Sequence, residues 1–89
     1  MKNIEASKLR KEYNIIDIRD KIDYLNGHIY NAINISENEL IKNYFLYLNK
    51  NDTYYIYCKK GISSKKVCNI LNALGYDVIN VYGGYASFK

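Results

Sequence analysis

Proline and tryptophan are absent from this chain, and histidine and methionine occur once each. Without proline, every turn has to rest on Gly, Asn, Asp and Ser. The two cysteines, Cys58 and Cys68, are too few for a disulfide scaffold. With one histidine and no closely spaced cysteine pair, no metal site is expected. No run approaches the roughly 20 apolar residues of a membrane span. Met1-Lys-Asn-Ile-Glu-Ala-Ser carries no apolar signal segment. These absences make a cytoplasmic protein with no membrane partner the expectation, in a reducing setting where a free thiol stays available.

What is present points to one small folded unit. The chain has 89 residues, 48% of them hydrophobic, which suits a single domain over residues 1–89 and excludes a disordered chain. Eleven tyrosines can bury a ring and leave a hydroxyl wet. The net charge of +4 reads mostly as a solvated surface. No nucleic-acid reader motif or long basic run accompanies it, so nucleic acid is not an expected partner. Only the clustered Lys59, Lys60, Lys65 and Lys66 invite a sharper reading.

Along the chain, strand and helix patterns alternate. Ile4 to Glu12 is a short helical pattern, and residues 14–18 read as a buried strand. Asp20 can cap a short helix ending at Leu25, before Asn26-Gly27. Residues 32–35 form a second strand. Ser36 with Glu39 spells a capping box. It opens a helix with Leu40, Ile41, Tyr44, Phe45 and Leu48 on one face. Thr53 to Tyr57 is the third strand. A helix striped by Val67, Ile70, Leu71 and Leu74 follows, with Gly75 as its C-terminal cap. Residues 78–81 close the set, and Gly83-Gly84 turns into a final stub, Tyr85 to Lys89. Such alternation predicts an α/β fold, a small three-layer domain with a mostly parallel central sheet flanked by helices.

One segment carries the chemistry. Thr53-Tyr-Tyr-Ile-Tyr runs straight into Cys58, then Lys59-Lys60-Gly61-Ile62-Ser63-Ser64, then a helix. A thiol there sits where loop amides and a helix N-terminus favour its thiolate. Sites in parallel sheets form beyond the carboxyl ends of strands. Cys58 and the Asp17–Arg19 segment would then open onto one crevice. Ser63 or Ser64 can cap the helix. A buried inert cysteine is the plainer alternative for Cys58, and a small residue at the core edge for Cys68.

These residues resemble the rhodanese (sulfurtransferase) family over nearly the whole chain. Asp17-Ile-Arg19, Asp23-Tyr24, Gly27-His28-Ile29, Ala32 and Asn34-Ile35 are similar to its first signature. Tyr57-Cys58-x-x-Gly61 with Ser64 looks like its active-site loop. Gly75-Tyr76, Val78, Asn80 and Gly83-Gly84 are similar to its C-terminal signature. Ser63 stands where the loop often has Arg, and Lys21 where Pro is usual. The resemblance implies that Cys58 takes a sulfane sulfur as a persulfide and passes it to a thiol or cyanide. Lys59 and Lys60 would attract an anionic donor such as thiosulfate. Gly61, Ile62 and Ser63 would complete the donor site, with Asp17, Arg19 and Ser64 supporting the pocket. No cofactor is implied. His28 is read as a turn residue with a satisfied hydrogen bond.

Two other functions share some of these features. A protein-to-protein persulfide carrier would use the same cysteine, loaded by a protein donor. A Cdc25-like phosphatase or arsenate reductase would need an arginine closing the loop to clamp a tetrahedral oxyanion. Six positions after Cys58 stands Ser64, and no arginine follows Arg19.

Overall fold

The computed structural model describes residues 2–88. Five parallel strands form one sheet: β1 (Lys2–Ile4), β2 (Asn14–Asp17), β3 (Ile33–Asn34), β4 (Thr53–Tyr57) and β5 (Asp77–Val81), in the order β1-β5-β4-β2-β3. The helices are α1 (Lys21–Leu25), α2 (Glu37–Lys42), α3 (Tyr44–Tyr47), α4 (Ile62–Ala73) and α5 (Gly84–Phe88).

Successive residues of each strand point to opposite sides, so the sheet has two buried faces. Ile16, Tyr54, Ile56 and Val78 meet Leu40, Leu48, Val67, Cys68 and Leu71 on the side of α2, α3 and α4. Ile15, Tyr57 and Val81 meet Ala6, Leu9, Ile29 and Ala32 on the other side, which Tyr85 and Phe88 of α5 close. This is the expected three-layer α/β arrangement. No helix among the described residues is long and apolar enough to cross a membrane.

The strand order reverses between β2 and β4. The chain leaves β2 outward to β3, then returns through α2 and α3 to β4 on the far side of β2. Loops therefore diverge at the carboxyl ends of β2 and β4 and leave a crevice there.

Four local expectations are corrected. Residues 4–12 do not form a helix: Lys2–Ile4 pairs in register with Ile79–Val81, and only a 3-10 turn follows at Ala6–Lys8. Pairing with an otherwise open edge of β5 outweighs weak helical spacing. The Ser36–Glu39 capping box does not form: Ser36 precedes α2 without a side-chain cap bond. The Glu39 carboxylate instead accepts from Asn43 Nδ2 at 3.1 Å and from the Tyr47 hydroxyl at 2.6 Å. The helix also breaks at Asn43, which turns Phe45 outward while Tyr44 packs on Tyr76. In α4 the buried face is Ser64, Val67, Cys68 and Leu71, with Ile70 and Leu74 at the rim. Cys68 is thus core, not core edge. Gly75 does end α4: its φ is +95°, its N–H bonds the Asn72 carbonyl, and the Tyr76 N–H reaches back to Leu71.

Candidate active site

β4 delivers Cys58 to the crevice, and the chain turns back at once into α4. Gly61 makes the turn possible. Its φ is +94°, and a Cβ there would lie 2.7 Å from the Gly83 amide nitrogen. The turn aims two amides at the sulfur: Gly61 N–H at 3.1 Å and Ser64 N–H at 3.3 Å from Cys58 Sγ. The N-cap residue of α4 is Gly61, which has no side chain to cap it. The sulfur itself occupies that place, taking N–H groups that a capping oxygen would otherwise take. The expected serine cap is therefore absent. Both amides and the positive end of this 12-residue helix favour negative charge on the sulfur.

The loop's carbonyls are held away from the sulfur. Those of Cys58 and Lys59 accept from Tyr85 N–H at 2.8 Å and Ala86 N–H at 3.0 Å, in the first turn of α5. This close approach requires Gly84, whose φ is +59°; a Cβ there would strike the Cys58 carbonyl oxygen.

Cys58 is 6% exposed and forms part of the wall of a cavity of about 350 Å³, with Ile18, Arg19, Asp23, Glu37, Lys59 and Ser63. An adjoining cavity of about 290 Å³ brings Lys60 and Ile62 beside Cys58. Of the expected donor-site residues, Lys59 and Ser63 thus reach both spaces. Lys60 and Ile62 line the second, and Gly61 contributes its backbone. Of the other clustered lysines, Lys66 pairs with Glu37 at 3.2 Å on the surface, where such pairs contribute little.

Behind the wall, Asp17 ends β2 in full burial. Its carboxylate accepts from the Arg19 N–H at 2.9 Å, from the Arg19 guanidinium at 2.8–3.1 Å, and from the Tyr57 hydroxyl at 2.7 Å. A buried charge survives only when paired and fully hydrogen-bonded, and this one is both. Arg19 Nη2 also donates to the Gly27 carbonyl at 2.6 Å, and the guanidinium lies 4.2 Å from the Tyr85 ring centroid. The Asp17–Arg19 pair is local in sequence, yet it ties β2, β4, the turn after α1 and α5 together. Burial, and then the bond to Asp17, push the Tyr57 hydroxyl well above the ordinary tyrosine value. His28 sits in that turn, its Nδ1 2.8 Å from the Tyr24 carbonyl oxygen and its ring stacked on Tyr24.

Ser64 lies directly under Cys58, fully buried. Its Oγ is 3.3 Å from Cys58 Sγ and donates to Asn80 Oδ1 at 2.6 Å. The Cys68 thiol, one turn along α4, is pushed up to about 12 by burial and by Cys58. Sequence reading places Tyr57 and Asn80 in motifs but gives no role to either, nor to the amides of Tyr85 and Ala86. Tyr57 stands in the loop motif directly before Cys58, but nothing local marks its hydroxyl as the partner of Asp17. Asn80 did carry a signal, as the single polar residue inside Val78–Val81.

Comparison with known proteins places this geometry in context. The family described as "Rhodanese-like domain" matches residues 2–89. The chain is 33% identical to the thiosulfate sulfurtransferase GlpE of Coxiella burnetii, over 98% of this chain and 83% of that protein. It is 30% identical to the putative sulfurtransferase YtwF of Bacillus subtilis, over 96% and 82%. The crystal structure of SSP1007 from Staphylococcus saprophyticus superimposes with a TM-score of 0.91 at 34% identity, covering 100% of this chain and 94% of that one.

Proposed function

This chain belongs to the rhodanese-like family, and from that premise we propose that it is a sulfurtransferase working through a persulfide on Cys58. Relatives named as sulfurtransferases, at 30–33% identity over most of their length, support sulfur transfer in general. The finer reading rests on one observation: Cys58 Sγ accepts two backbone N–H groups at the foot of a 12-residue helix, beside an open cavity.

The steps balance without an outside oxidant. The Cys58 thiolate attacks the outer sulfur of thiosulfate or of a persulfide donor. A bond from Sγ to that sulfur forms, the donor's S–S bond breaks, and the electron pair leaves with sulfite or the donor thiolate. An acceptor thiolate or cyanide then attacks the outer sulfur, and Cys58 departs as thiolate. In both steps the negative sulfur is the group the loop amides favour. Lys59 at the cavity wall supplies positive charge for an anionic donor.

A protein donor or acceptor is a second reading of the same chemistry. Its support is Ile62, 78% exposed on the rim beside Lys59 and Lys60. A phosphatase reading has no comparable support. Arg19, the guanidinium in the cavity wall, is already committed to Asp17 and Gly27.

Intact-mass measurement after incubation with thiosulfate tests the proposal. One added sulfur, removed by reductant and absent in Cys58→Ala, is the expected result. Loading from a protein persulfide but not from thiosulfate would assign the carrier role. No adduct from either source would refute the persulfide mechanism.

A further inference from the structure

A serine hydroxyl has one proton, and in this structure the proton of Ser64 is committed. Ser64 Oγ donates to Asn80 Oδ1 at 2.6 Å, so toward Cys58 Sγ at 3.3 Å it presents lone pairs. That arrangement suits a protonated thiol, whose S–H donates to Oγ, and disfavours a thiolate. Asn80 is itself fixed: its Nδ2 donates to Asn3 Oδ1 at 3.0 Å, across the register pair Asn3–Asn80 of β1 and β5. Ser64 and Asn80 are both buried, so neither bond exchanges freely with solvent.

We propose that Asn80 is a positioning residue that sets the protonation of Cys58 through the direction of the Ser64 hydroxyl. The proposal rests on the reading of Cys58 as the nucleophile. With Asn80 holding the hydroxyl, Ser64 offers the sulfur a lone pair rather than a proton. When the thiol proton leaves to solvent through the cavity mouth, the hydroxyl can turn and donate to the thiolate. Turning breaks the bond to Asn80 and strands a buried carbonyl, which opposes the change. The amides of Gly61 and Ser64 pull toward the thiolate, and Asn80 pulls back.

Other charged and titratable groups also face Cys58. Arg19, Asp20, Asp23, Glu37 and Lys59 line its cavity, Lys60 lines the adjoining one, and Cys68 lies behind it on α4. All of them are retained in the variants below, so differences report the Ser64–Asn80 bond.

The test is the pH profile of Cys58 alkylation by iodoacetamide, followed by peptide mass spectrometry to separate Cys58 from Cys68. Asn80→Val removes the acceptor at similar volume. It should raise the alkylation rate in mildly acidic buffer about tenfold, the factor for one buried hydrogen bond no longer opposing the thiolate. The rate on the alkaline plateau should not move. In a Ser64→Ala background the same substitution should have no effect on the profile. Asn3→Ala, on the exposed edge strand, frees the Asn80 amide and should shift the profile the same way by a smaller factor. It decides the matter if Asn80→Val does not fold. An unchanged or slower acidic rate, or a gain that persists without the Ser64 hydroxyl, overturns the proposal. Alkylation reads the thiol directly, so this result is independent of whether sulfur is transferred.

Discussion

Removing one oxygen atom from Tyr57 should cost this domain a large part of its stability. Tyr57→Phe keeps the ring in the core and deletes only the hydroxyl. That hydroxyl donates to Asp17 Oδ2 at 2.7 Å and accepts the Ile29 N–H at 3.0 Å. Ile29 is fully buried, so its amide would be stranded, at about 1–3 kcal/mol. Asp17 would lose one charge-assisted bond, worth about 1.5–3 kcal/mol, while keeping those from Arg19. The expected loss is about 3 kcal/mol, against a total of roughly 5–15 kcal/mol for a domain. At about 4–8 °C per kcal/mol for a domain of this size, the melting temperature should fall by roughly 12–24 °C. Urea and thermal unfolding followed by circular dichroism measure this, and the urea slope should stay unchanged. Tyr30→Phe, at an exposed ring, should stay within about 0.5 kcal/mol of wild type. A Tyr57→Phe loss below about 1 kcal/mol would refute the claim that this hydroxyl joins β4 to the Asp17–Arg19 pair.

Two further outcomes follow from the same geometry. Gly84→Ala should destabilise by at least about 2 kcal/mol, because a positive φ and a blocked Cβ coincide there. Gly75→Ala should cost less, since its Cβ would meet only the flexible Lys50 Nζ at 3.3 Å; equal losses in urea midpoints would argue against the α5–loop contact. Stability should also fall in alkali. Cys68 holds its proton up to about 12 when folded, against an ordinary 9.0, so the folded state binds more protons across that window. Its contribution is intact below the ordinary thiol value and is lost as pH rises toward the folded one. A melting temperature that declines across this range, less steeply in Cys68→Ala, is expected; a flat profile in the wild type would contradict the burial of that thiol.

The sequence by itself determined the order of most elements, the α/β class and the place of Cys58. Each depends on local signals: alternation of strand and helix patterns, a β-branched and aromatic run, and a loop of small and basic residues before a helix. It also brought Asp17, Arg19 and Cys58 to one end of the sheet, because strand ends in a parallel sheet share a side. Tertiary structure alone decided that residues 2–4 are a strand, since only the open edge of β5 makes them one. It also decided that sulfur, rather than serine, caps α4, and that Ser64 and Cys68 face inward while Ile70 does not. The partners that tune the site lie far off in sequence: Tyr57 is 40 residues from Asp17, and Asn80 is 16 from Ser64 and 77 from Asn3. A side chain's pattern can announce burial, but the direction of a hydroxyl proton depends on which acceptor the folded chain sets beside it.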